Sequence, residues 1–112
     1  MNIKTSELDN TTLVFEIEPG DTGPMVDRLD VQPNGFAIMG DGVPFSAAVV
    51  DTRRLEESWF TSDHLLAIEA HELGHIRTNS SEEPVAEREG IRLLQASGHH
   101  EAANILIERG IA

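Results

Sequence analysis

His71 and His75 stand four residues apart in the run Leu65-Leu66-Ala67-Ile68-Glu69-Ala70-His71-Glu72-Leu73-Gly74-His75-Ile76. On a helix, side chains at that spacing lie one above the other, so both imidazoles address a single point in space while Glu72 borders the same face. Two neutral imidazoles can hold a divalent metal. The metal acidifies a water molecule, and the Glu72 carboxylate takes up the proton as that water attacks a polarised carbonyl. The chemistry these residue types imply is metal-assisted hydrolysis of an amide, with Zn2+ as the expected ion, His71 and His75 as ligands and Glu72 as general base.

A catalytic zinc ion commonly takes three protein ligands and keeps one position open. The third must be a carboxylate or another histidine, because the chain has no cysteine. Glu83, Ala86, Glu87, Gly90, Leu93, Leu94 and Ser97 form one stripe at three- and four-residue spacing. The later turns of that stripe are apolar or small, as a core face should be. Its first turns present Glu83 and Glu87, and turning carboxylates toward a core is costly without a cationic or hydrogen-bonding partner. A metal with its imidazoles would be that partner. Glu83 is therefore the expected third ligand. Glu87, one turn on, is the expected acceptor for the other N–H of a ligating histidine. Only seven residues separate His75 from Glu83, and if that turn is too short to close, the two carboxylates exchange roles and Glu87 becomes the ligand.

The elements that must position these groups read as strands first and helices after. Residues 11–18 alternate, with Leu13, Phe15 and Ile17 on one side, which predicts a half-buried strand. Residues 25–32 are read as a second strand, Pro33-Asn34-Gly35 as a hairpin turn, and residues 36–39 as the returning strand. Gly40-Asp41-Gly42 predicts another turn. Residues 43–51 predict a last strand, placed at the sheet edge because of Pro44. Thr61-Ser62-Asp63 supplies N-cap chemistry for the motif helix, which is expected to run to about Arg77. A second helix is predicted from about Glu82 to Ala96, with Pro84 in its first turn, and a third from about His99 to Arg109, with Gly110 as its C-cap. The predicted class is α+β: a small domain with an N-terminal, mostly antiparallel twisted sheet followed by the three helices.

At 112 residues the chain is read as one domain, 1–112, with residues 1–10 flexible; that length buries roughly two-thirds of the unfolded surface. The net charge of −12 repels phosphate backbones and anionic lipids, so nucleic-acid and membrane partners are not expected. A peptide or protein substrate is. There is no apolar run of signal-peptide or membrane-spanning length, and a soluble, cytoplasmic protein is the expectation.

His71-Glu72-Leu73-Gly74-His75, followed by a helix reading Glu83-x-x-Ala86-Glu87-x-x-Gly90-x-x-Leu93-Leu94, resembles the gluzincin metallopeptidases. These comprise thermolysin-like enzymes and much shorter relatives, among them the minigluzincins and the regulatory peptidases of phages and mobile elements. The resemblance covers roughly residues 43–97. It implies a zincin-like fold and a zinc metalloendopeptidase activity. It also implies a third ligand and a supporting carboxylate on the second helix, where Glu87 stands in place of the usual Asp. It further implies a sheet edge that binds an extended peptide above the site, a role residues 43–51 would fill. The chain has no tyrosine, so a phenolic oxyanion stabiliser must be replaced by His64, His99 or His100, or by the metal alone. The alternative reading is a non-catalytic or latent zincin-like domain that binds metal and a peptide or protein without cutting it.

Overall fold

In the computed structural model, which describes residues 1–109, a mixed four-stranded sheet is covered on both faces by helices. The elements in chain order are β1 (Asn2–Thr5), β2 (Leu13–Ile17), α1 (Pro24–Val31), β3 (Gly35–Ile38), β4 (Ala47–Asp51), a 3-10 turn (Thr52–Glu56), α2 (Ser62–Thr78), α3 (Glu83–Ala96) and α4 (His100–Arg109). The strand order is β1-β2-β4-β3. β1 pairs with β2 and β3 with β4 antiparallel, whereas β2 and β4 run parallel. The α+β class and the mostly antiparallel sheet therefore hold, with one parallel pair at the centre.

The alternation in β2 sorts its side chains between two cores. Phe15 and Ile17 join Ala47, Val49, Phe36 and Leu29 on the face that α1 covers. Val14 joins Ala48, Val50, Leu73, Leu94 and Leu106 on the face covered by α2, α3 and α4. The strand is therefore apolar on both sides, and Val14 is as fully enclosed as Ile17.

Three sequence expectations are corrected. Residues 25–32 form helix α1 rather than a strand: Pro24 sits at its first position, and Met25, Val26 and Leu29 fall on one helical face against the sheet. The helix stops at Gln32, whose backbone has left the helical region, at φ −130° and ψ 79°, before Pro33. The strand expected over 43–51 is shorter and is not an edge. Ala47, Ala48, Val49 and Val50 are completely buried between β2 and β3, as befits an unbroken apolar run in an inner strand; Pro44 precedes the strand and constrains nothing in it. The edges are β1 and β3 instead. The third correction concerns residues 1–10, expected to be flexible. They supply β1 and then a loop in which Ser6 and Leu8 are buried, and the Ser6 hydroxyl donates to Glu69 Oε2 at 2.7 Å.

The remaining helices match their expected ranges within a residue or two, and the predicted cap at Gly110 lies outside the described residues. Asn34 keeps the positive φ expected of it, at 81°, but the turn it makes joins α1 to β3 rather than two strands. No helix among the described residues is long and apolar enough to cross a membrane.

Candidate metal centre

α2 runs through the middle of the molecule and is buried on every side from Ala67 to His75. That placement takes the His71, Glu72 and His75 side chains out of water, and α3 closes over them. The two helices meet backbone to backbone along a seam of small residues. A Cβ added to Gly90 would stand 2.8 Å from the Ala70 carbonyl oxygen, so only glycine permits the approach. The turn between the helices is short but closes. Asn79 takes the left-handed conformation at φ 49°, the Ser80 N–H donates to the His75 carbonyl at 3.1 Å, and the chain enters α3 at Glu83. Seven intervening residues are sufficient.

Glu83 consequently lies against both histidines. Its Oε2 is 2.7 Å from His71 Nε2 and its Oε1 is 3.1 Å from His75 Nε2. The ligand atoms of His71, His75 and Glu83 all fall within 4.8 Å of one another, and these three are the one group of metal-binding residue types so placed among the described residues. His75 Nδ1 donates to the Ser80 carbonyl at 2.7 Å. A carbonyl only accepts, so the ring proton sits on Nδ1 and, in the neutral ring, the Nε2 lone pair faces the Glu83 carboxylate. A lone pair and an anionic oxygen turned toward each other suit a cation between them. The donor set thus fits a metal ion.

Glu87 is half-buried on the same face of α3. Its charge is felt at His71, but the structure does not bring the two into hydrogen-bond contact, and His71 Nδ1 is buried with no acceptor. Burial holds the His71 imidazole below its usual pKa, opposed by the Glu83 carboxylate. Burial also pushes the Glu72 carboxyl up to about 8, with Glu83 adding to the rise and Arg28 working against it.

Two cavities open onto this group. One, of about 40 Å³, is lined by Gln32, Pro33, Asn34, Gly35 and the four site residues His71, Glu72, His75 and Glu83. The other, of about 310 Å³, extends from Glu72, His75 and Glu83 to Arg28, Ala37 and Met39. The edge strand β3 forms one wall of the site. A Cβ on Gly35 would meet the Val49 carbonyl oxygen at 2.6 Å and the Ile68 side chain at 2.9 Å, with Glu72 Cγ next at 3.6 Å. Asn34 is held from the other side by the Arg54 guanidinium, which donates to its side-chain oxygen.

None of the histidines named as oxyanion stabilisers lines either cavity. His64 Nδ1 accepts from the Thr61 N–H at the start of α2, and His99 lies 3.9 Å from Glu7 beside a different cavity. His100 begins α4, exposed. Sequence reasoning missed Arg28, hidden by reading α1 as a strand, and the Ser80 carbonyl, a backbone group that no residue type announces. Comparisons with models of known protein families, with curated proteins and with solved structures find no match.

Proposed function

We propose that the chain is a zinc-dependent peptidase of the zincin type, and that β3 rather than β4 is the edge along which an extended peptide lies. The observation that carries this reading is the convergence of His71 Nε2 and His75 Nε2 on the two oxygens of the Glu83 carboxylate, with Glu72 buried next to them. A divalent ion, which His71, His75 and Glu83 would hold, would supply Lewis acidity to a water molecule and a peptide carbonyl, and its charge would favour the ionised form of Glu72. Glu72 then accepts the proton of the attacking water and returns it to the leaving nitrogen. The Ser80 carbonyl fixes the tautomer of His75. β3 pairs with β4 along one side only, so its outer backbone groups can pair with a substrate strand.

The test has two parts. Metal content of the purified protein, measured by elemental mass spectrometry, should be about one zinc per chain and should be lost in His71→Ala, His75→Ala and Glu83→Ala. A peptide library digested by the wild type should be left intact by Glu72→Gln, which should keep its zinc. Bound zinc without cleavage of any peptide would favour the non-catalytic reading, in which the metal clamps α3 onto α2. A metal-free protein indifferent to added zinc would sink both.

A further inference from the structure

We infer that Arg28 is a recognition residue for a carboxylate on the ligand of this site. Arg28 lines the larger cavity, with Glu72, His75 and Glu83 on the same walls, and is the sole Lys or Arg among the residues lining either cavity at the site. Its position is set by two contacts. Cζ lies 4.2 Å from the centre of the buried Phe36 ring, and Nε faces Gln32 Oε1 at 3.4 Å, one helical turn on. Among the described residues neither Arg28 nor the exposed Arg88 has a carboxylate within ion-pair distance, whereas Arg53, Arg54, Arg77 and Arg92 each have one. A chain with twenty acidic residues against eight basic ones has thus left this guanidinium without a direct ion pair beside the converging donor set, its charge acting on Glu72 only through space.

The two terminal nitrogens of a guanidinium held through Nε form a fork that matches a carboxylate in two parallel hydrogen bonds. The cavity runs past Arg28 along Ala37 and Met39, so a peptide extended beside β3 carries its carboxylate within reach of that fork. The acidic surface opposes such a ligand at long range, where salt screens it, and Glu72 and Glu83 oppose it from the walls of the cavity. Selectivity for the anion therefore has to come from Arg28 itself. The carboxylate belongs either to a peptide C-terminus or to an Asp or Glu side chain. The assignment rests on the peptidase reading only in taking the ligand to be a peptide.

The experiment uses the full chain, 15N-labelled, and two pairs of otherwise neutral hexapeptides: one with a free or amidated C-terminus, the other amidated and carrying Glu or Gln at one position. Binding is followed through the Ala37 amide and the Arg28 Nε–H resonances, and each mixture is then assayed for cleavage by mass spectrometry. The carboxylate member of at least one pair should bind about 10-fold tighter than its neutral twin. That preference should disappear in Arg28→Gln and persist in part in Arg28→Lys. Arg28 is exposed, so these variants should fold. The pair showing the preference identifies the source of the carboxylate. No preference in either pair, a preference unchanged in Arg28→Gln, or a uniform loss across all four peptides would each overturn the assignment. Cleavage without a carboxylate preference removes this inference and leaves the peptidase reading standing; an Arg28-dependent preference without cleavage does the reverse.

Discussion

Gly74 of α2 lies so close to Ala86 of α3 that a Cβ built on the glycine would stand 2.0 Å from the Ala86 carbonyl oxygen. Together with Gly90 against Ala70, this contact sets the separation of the two helices, and that separation decides whether Glu83 can reach both imidazoles. Gly74 therefore belongs to the site as much as to the core, although it carries no side chain.

Gly74→Ala should be strongly destabilising, because backbone on both sides of the contact has to move; a loss of about 3 kcal/mol is expected. Gly90→Ala, where the clash distance is 2.8 Å, should cost less. Urea denaturation of the metal-free variants checks the order. A Gly74→Ala protein as stable as the wild type would mean that the helices are not held at this separation.

Asn79 ends α2 in the left-handed conformation, at φ 49°. Ala there should cost about 1 kcal/mol, whereas Gly should be close to neutral. Thermal denaturation of Asn79→Ala and Asn79→Gly reads the difference. Equal melting temperatures would show that the turn accommodates a change of φ, and the placement of Ser80 under His75 would need another explanation.

Much of the site was legible because its parts are written in helical periodicity. The four-residue step from His71 to His75 and the stripe beginning at Glu83 both survive translation into three dimensions, and Pro84 and Asn79 punctuate the turn as their backbone preferences require. What was not legible depended on long-range pairing. The short apolar run at 47–50 could belong to an edge strand or an inner one, and only the partners on both sides make it inner. Residues 25–32 carry too few apolar positions to separate helix from strand by period alone, so Arg28 was assigned to the wrong kind of element and its approach to the site went unseen. Glu69, buried against Ser6 and Lys4, shows the same limit: its partners are sixty-odd residues away in sequence.

Two buried carboxyls on α2 set the pH dependence of the chelated, metal-free chain. Burial pushes Glu72 up to about 8 from an unfolded value of 4.5, and raises Glu69 in the same direction against the Ser6 hydroxyl and Lys4. The fold binds these protons more tightly than the unfolded chain. The contribution of Glu72 to stability is complete below 4.5 and is lost as pH rises through 8, and that of Glu69 is lost in the same direction. Asp21, lowered by the Glu18 N–H and then the N-terminus, and Glu89, lowered by Arg92, act oppositely and lose their contribution at more acid pH. Stability to urea should thus increase from pH 8.5 to about 6.5, below which the buried His71, held under its usual pKa, works against a further gain, and Glu72→Gln should flatten most of that slope. An unchanged slope in the variant would place the titration elsewhere.

His71 Nδ1 is buried without an acceptor, and the half-buried carboxylate one turn beyond Glu83 is that of Glu87. If His71 binds a metal through Nε2, its proton resides on Nδ1, and leaving that donor unpaired in the interior is costly. A change of the Glu87 rotamer toward His71 would satisfy it, at the expense of the solvation Glu87 now has. Glu87→Gln retains an acceptor oxygen but loses the charge, whereas Glu87→Ala loses both. Zinc affinity, measured by competition with a chromophoric chelator, should therefore fall in the order wild type, Glu87→Gln, Glu87→Ala, with a total loss of about 10- to 100-fold. Glu83→Ala should remove binding altogether. If Glu87→Ala abolishes binding while Glu83→Ala merely weakens it, the two carboxylates have exchanged roles and α3 must enter the site one turn further along than its contacts with the two imidazoles place it.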